Sequence, residues 1–233
     1  METFQEYLQA WPSARRAEGA ARATEADVLA VLQKEILQPA DLLTLLSPAA
    51  APHLEAMARR HLSIDEAAAE ADVIADKGFQ HILLLTGDAR HLPSPQDIAD
   101  VARRIKPRFA SVGVEVYSLT TEEYELLVNA GVDSMTMFQE TYNPELYAWL
   151  HPVGPKHDYG FRLNAPQRAA EGGIRSIGVG ALLGLESFEQ DAFATGLHAW
   201  WLQRRYPGVD VSVSIPRICP HEGYFDVQHA VDD

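Results

Sequence analysis

Glu140 occupies the position in this sequence that most demands a chemical explanation. It lies in the stretch Asp133–Tyr142, DSMTMFQETY. There Met135, Met137 and Phe138 are apolar enough for a buried strand, and the run turns polar at Gln139, Glu140, Thr141 and Tyr142. A carboxylate at the mouth of a buried strand is costly unless a cation or a ligand meets it. In parallel α/β folds, ligands gather at the C-terminal strand ends. Arg162, within Phe161-Arg162-Leu163-Asn164-Ala165-Pro166, is the candidate partner. Its guanidinium fork suits either a structural pair with Glu140 or a substrate carboxylate, and spacing does not separate the two. A third candidate is Thr86-Gly87-Asp88 at the end of an apolar run. The glycine admits close approach of a ligand, and the aspartate accepts from an ammonium or a ribose hydroxyl. An ordinary βα turn explains the same three residues.

Other groups signal less. His151, Lys156 and His157 fall in the stretch 143–165, rich in His, Pro, Gly and Tyr, and read as lid residues or as solvated loop residues. Ile177-Gly178-Val179-Gly180 is half of a dinucleotide fingerprint, but it sits inside a strand with no helix after the glycines. Those glycines fit close packing or a barrel lining. Cys219-Pro220-His221 offers two potential metal ligands without a second pair. Cys219 is the one cysteine of the chain, so neither an intrachain disulfide framework nor a site of several thiolates can be built from it.

The elements that position these residues follow from periodicity and caps. Residues 1–23 read as a loose helix or arm. Thr24 and Asp27 cap a helix, Pro39-Ala40-Asp41 starts another, and Ala49–Arg60 follows as a third. Ser63 and Glu66 open a helix ended by Gly78, and HILLLTGD at 81–88 is a strand covered on both faces. Ser94–Asp97 starts the next helix, and Val112–Ser118 is the second strand. Thr120 and Glu123 start a helix, and Ser134–Phe138 is the third strand. Beyond the irregular stretch lie a short helix at Pro166–Glu171, a strand at Ser176–Leu185 and a helix opened by Ser187 and Gln190. That helix carries Trp200-Trp201, expected in the core or at an interface. Val209–Ile215 is the fifth strand, and the tail after Pro216 lacks a period and is expected to fray. Five strands alternating with capped helices imply parallel pairing by right-handed crossovers. Either an open sheet or part of a (βα) barrel fits.

The chain's 233 residues suffice for one sizeable domain with an extension, and a 47% apolar share supplies a core. A net charge of −14 argues against nucleic acid, whose phosphates need clustered Lys and Arg. No apolar run reaches a membrane span and residues 1–20 lack a signal core, so the expected location is cytoplasmic.

From about Leu46 to Pro220 the sequence resembles the 2-iminoacetate synthases, the tyrosine lyases of thiamine thiazole biosynthesis. The resemblance rests on LSPAAAPHLEAMA, DEAAAEADVIADKGFQHILLLTGD, FQETYNPELYAWLHPVGPKHDYGFRLNAPQRAAEGGI, IGVGALLGL and SVSIPRICP, in that order. It implies a radical S-adenosylmethionine enzyme, a carbon–carbon lyase, on a (βα) barrel, with S-adenosylmethionine and a [4Fe-4S] cluster as cofactors. It implies that Thr86-Gly87-Asp88 contacts the methionine amino group, that Glu140 and Arg162 contact other parts of S-adenosylmethionine, and that tyrosine is the substrate. It assigns no catalytic residue here.

The chain departs from that pattern at the cluster. The family's C-x3-C-x2-C loop belongs between the N-terminal helices and the helix at Ser63, where Arg60 here runs straight into His61. The family's last strands are also missing. Three thiolates are needed and one cysteine is present, so the metal ligands are absent and the chain is expected to be inactive. The expected architecture is therefore α/β: an incomplete radical-SAM-type (βα) barrel of about five parallel strands with flanking helices. Its parts are an N-terminal helical extension (1–60), the partial barrel (61–220) and a tail (221–233). Two open edges, at 82–85 and 211–215, imply a dimer or poor solubility. The alternatives to an inactive relative are a non-catalytic interaction protein with a thiazole-synthesis partner, or a truncated gene model.

Overall fold

The computed structural model describes residues 11–34, 37–53, 56–57, 62–88, 90, 93–219, 227 and 229–231. They fall into two compact units, Met1–His61 and Leu62–Asp233. The Arg60–His61 junction and most of the tail beyond Cys219 lie outside the described residues.

The first unit holds three short helices, α1 (Ser13–Arg22), α2 (Glu25–Leu32) and α3 (Pro39–Leu45), then a 3-10 turn at Pro48–His53. Thr24 caps α2 through a reciprocal box with Asp27, as the spacing predicts. The helix expected over Ala49–Arg60 begins instead as that 3-10 turn, because Pro52 cannot donate to an α-helical ladder.

In the second unit α4 (Ile64–Asp76) precedes β1 (His81–Leu85), α5 (Pro95–Ile105) and β2 (Ser111–Glu115). Then come α6 (Thr121–Asn129), β3 (Ser134–Phe138), α7 (Pro144–Leu150), α8 (Tyr159–Leu163) and α9 (Ala165–Glu171). The unit continues through β4 (Ser176–Gly180), α10 (Phe188–Arg205) and β5 (Asp210–Ser214). The strands pair in parallel in the order β1-β2-β3-β4-β5, an open sheet with β1 and β5 at its edges. This is the α/β partial barrel that the resemblance implies, with its sheet open; the alternation by itself fits either form.

Side-chain alternation divides the sheet's two faces. Val112, Val114, Met135, Met137, Ile177 and Val179 are buried in one core with Ile98, Ala102, Tyr124, Leu127 and Leu202 of the flanking helices. The opposite face carries small or polar residues from β2 onward: Gly113, Ser134, Thr136, Gly178 and Ser212. A Cβ on Gly178 would stand 2.9 Å from Thr136 Oγ1, so a bare backbone is needed there. β1, expected to be covered on both faces, is not: its side of this face is apolar and open to solvent at Leu83 and Leu85, because β1 is an edge strand.

Two expectations need correction. The stretch 143–165 is not irregular. Asn143 accepts the N–H groups of Glu145 and Leu146 to cap α7, and Asp158 accepts that of Phe161 to cap α8. Trp200 and Trp201 are not core. The buried stripe of α10 runs through Asp191, Thr195 and Leu202, which turns Phe193, Leu197 and Trp200 outward. Ser187 opens α10 without a side-chain cap.

Candidate functional site

Four charged side chains meet beyond the C-terminal ends of β1 and β3. Asp88 lies three residues past β1 and Glu140 two past β3. Arg162 reaches in from α8, and Lys156 from the turn between α7 and α8. Arg162 is nearly buried and held at three points. Its Nε donates to the Phe138 carbonyl at 2.9 Å, one terminal nitrogen lies 3.2 Å from Glu140 Oε1, and the other lies 3.5 Å from Asp88 Oδ1. Lys156 Nζ donates to Glu140 Oε1 at 2.9 Å and lies 3.4 Å from Asp88 Oδ2. Two carboxylates and two cations thus balance in one cluster, which answers the desolvation of Glu140.

The backbone sets Glu140 apart. Among the described residues it is the one non-glycine with positive φ, at 71°. Such a conformation in a residue bearing a Cβ is held by its surroundings and concentrates at binding sites. Here it is fixed on three sides. Gln139 N–H donates to Gly180 O at 2.8 Å, Leu182 N–H donates to Glu140 O at 2.7 Å, and Tyr142 N–H donates to Asp191 Oδ1 at 2.8 Å. The reversal turns the carboxylate toward Arg162 and Lys156.

Aromatic packing holds the Lys156 turn. Tyr147 is fully buried, stacks edge-on with His151 and Tyr159, and donates its hydroxyl to the Lys156 carbonyl at 2.6 Å. Burial pushes the Tyr147 phenol up to about 12, so it stays a donor. Burial, then the nearby Lys156 ammonium, holds the His151 imidazole below its ordinary value, and its Nε2 is buried with no hydrogen-bond partner. His157 is exposed.

Of the five residues marked in the sequence, Asp88, Glu140 and Arg162 come together. Thr86 and Gly87 flank them. Thr86 N–H donates to Glu115 O at 3.2 Å and its hydroxyl donates to Gly87 O at 3.0 Å. Among the described residues nothing lies within 4 Å of where a Gly87 Cβ would stand, so they leave the backbone there open to an incoming group. Lys156 belongs to the cluster and not to solvent, a role that local spacing does not signal. Asp191 was also passed over. It is buried on α10, and burial holds its carboxyl above the ordinary range. Its Oδ1 accepts from Thr141 Oγ1 at 3.1 Å as well as from Tyr142 N–H, while Oδ2 has no hydrogen-bond partner. Beside it, Tyr142 Oη lies 2.9 Å from His198 Nδ1. Burial raises the phenol and lowers the imidazole, which favours the neutral form of both partners, and the ring's tautomer sets which of the two donates.

Among the described residues no group of three His, Cys, Asp or Glu side chains is placed to hold a metal ion. Cys219 is exposed, with its Sγ 3.8 Å from Arg217 O. No helix among these residues is long and apolar enough to cross a membrane.

Comparison with known proteins bears on the family and the fold. Residues 53–194 match the model of the radical SAM superfamily. The chain is 32% identical to a 2-iminoacetate synthase of Salmonella typhimurium LT2 and 31% identical to that of Escherichia coli K12. In both cases 90% of this chain and 67% of the relative are covered. Each match runs over 264 residues, longer than the 233 residues of this chain, so the relatives carry segments inside the matched span that have no counterpart here. A crystal structure of HydG, described as a maturase of the [FeFe]-hydrogenase, shares the fold with a TM-score of 0.65 at 24% identity. That likeness covers 90% of this chain and 59% of HydG, so the chain spans less than two thirds of that structure.

Proposed function

This chain belongs to the radical SAM superfamily, beside the 2-iminoacetate synthases, and we propose that it keeps the cofactor-binding mouth of that fold without the cluster chemistry. The convergence of Asp88, Glu140 and Arg162 at the strand ends carries this reading. In it, Thr86, Gly87 and Asp88 receive the amino group of S-adenosylmethionine. The open backbone at Gly87 leaves room for that group. Glu140 and Arg162 hold other parts of the same molecule through charge-assisted hydrogen bonds.

A [4Fe-4S] cluster does not fit the residues present. It needs thiolate ligands, and the chain has the single Cys219, after β5 and exposed. In this reading the segment missing between Arg60 and His61 is the cluster loop. No step of tyrosine cleavage is assigned to the chain, and its role is to bind. The exposed stripe Phe193, Leu197 and Trp200 on α10 favours an interaction role, with a partner from thiazole synthesis. A cytoplasmic location suits the lone cysteine.

Two measurements test this. Calorimetric titration with S-adenosylmethionine is expected to give weak one-to-one binding, lost in E140Q and in R162A. Binding that survives both substitutions would remove the site from the reading. Anaerobic reconstitution with iron and sulfide is expected to leave no stoichiometric cluster. Formation of p-cresol from tyrosine by the purified chain would overturn the claim of inactivity.

A further inference from the structure

The two cations of the cluster are not equivalent. Arg162 is almost fully buried and fixed by Phe138 O, Glu140 and Asp88. Lys156 is more exposed, and among the described residues its ammonium meets the two carboxylates. Its backbone is anchored by Tyr147, so the ammonium alone is free to leave. That ammonium stands between Asp88 Oδ2 and Glu140 Oε1, carboxylates supplied by two different strand ends. A primary ammonium brought to Asp88 by a ligand would enter the space that the Lys156 ammonium fills. Both cannot stay, since two ammonium groups within a few ångströms repel and the cluster is already neutral.

We propose that Lys156 is a built-in plug, its ammonium taking the place of a ligand's ammonium until the ligand displaces it. The inference rests on the reading of this mouth as a binding site for an ammonium-bearing ligand. Displacement leaves the charge of the site unchanged, with one ammonium exchanged for another, and Lys156 swings into water on its flexible stem. Ligands without an ammonium do not provoke the exchange. Lys156 therefore sets both the affinity and the choice of ligand.

The test uses the whole chain, K156M, and two probes: S-adenosylmethionine, and 5′-methylthioadenosine, which lacks the amino acid end. Calorimetry is expected to show S-adenosylmethionine binding about tenfold tighter to K156M than to the unaltered chain, a difference of about 1.4 kcal/mol. Affinity for 5′-methylthioadenosine is expected to be the same in both. In the unaltered chain, acetylation of Lys156 followed by mass spectrometry is expected to speed up when S-adenosylmethionine is added. Equal binding of S-adenosylmethionine by both proteins, or acetylation that slows or stays constant, overturns the plug while leaving the binding site standing. No binding to either protein overturns the site itself, and the plug with it.

Discussion

Asp191 Oδ1 accepts the Tyr142 backbone N–H at 2.8 Å, which fastens α10 to the residue two places beyond Glu140. The same oxygen takes the Thr141 hydroxyl, and both Thr141 and Asp191 are buried. The left-handed turn at Glu140 is thus clamped from the helix side as well as by β4. Removing the acceptor strands two buried donors, at a cost of about 1–3 kcal/mol. D191A is expected to lose that much stability in urea denaturation, whereas D191N keeps an acceptor oxygen and is expected to lose much less. Equal losses in the two variants would mean that the carboxylate, and not an acceptor oxygen alone, is what this site needs.

Arg162 is the next point of failure. Its Nε bond to Phe138 O and its two carboxylate partners require a planar fork that lysine cannot reproduce. R162K is therefore expected to destabilise the fold by about 2 kcal/mol, and R162A by more, since breaking a buried pair leaves charge uncompensated. Denaturant midpoints check the order. A silent R162K would show that a single ammonium at 162 serves both carboxylates and that the planar fork is not needed.

How much of this could be read from the chain depends on the range of each signal. The boxes Thr24/Asp27, Ser63/Glu66, Ser94/Asp97 and Thr120/Glu123 span three residues and form as their types predict. The five strands follow from apolar runs between those caps. Helices α7 and α8 are too short for any period to register, although Asn143-Pro144 and Asp158 are ordinary start signals. Lys156 stands out in the sequence as a lid or solvated residue, but its pairing with Asp88 and Glu140 does not, because the reach of a long side chain across a turn leaves no mark on spacing. Asp191 escaped because an acidic residue in a first helical turn reads as a partner of the helix dipole. The stripe on α10 misled in the other direction. Apolar residues at helical intervals point inward only when no second stripe competes, and Asp191, Thr195 and Leu202 take the inner side.

Two glycines give predictions of opposite sign. A Cβ on Gly180 would overlap the Ser214 carbonyl oxygen and stand 2.8 Å from Phe138 Cδ1, so β4 and β5 would have to part. G180A is expected to destabilise by about 1–3 kcal/mol. Gly196 lies in the exposed face of α10 with nothing within 4 Å of its would-be Cβ. G196A is expected to stabilise by about 0.5–1 kcal/mol, because glycine costs conformational entropy in a helix. Thermal melts of the two variants should move in opposite directions.

The outer strands bear on self-association. β5 is an edge, with Val213 and, just beyond it, Ile215 exposed, and β1 is the other edge, with Leu83 and Leu85 exposed. Unpaired edges with apolar side chains invite pairing with another chain. Sedimentation at rising concentration is expected to reveal a dimer, and V213K combined with I215K is expected to restore a monomer. A monodisperse monomer of the unaltered chain at high concentration would count against this.

His198 makes stability depend on pH. Its Nδ1 lies 2.9 Å from Tyr142 Oη, and burial lowers its pKa from 6.5, which favours the neutral ring. The unfolded chain therefore binds a proton at His198 before the folded chain does. Its contribution is fully present above 6.5 and is lost as pH falls through the range between 6.5 and the lowered folded value. H198N presents a carbonyl oxygen where Nδ1 stood and does not titrate in that range. Subtracting its denaturation free energy from that of the unaltered chain cancels the other groups, including His151 and Asp191. The difference is expected to fall from about pH 7 to about pH 5, where an ordinary imidazole gains its charge. A difference that stays flat, or rises on acidification, would mean that the fold does not hold His198 neutral.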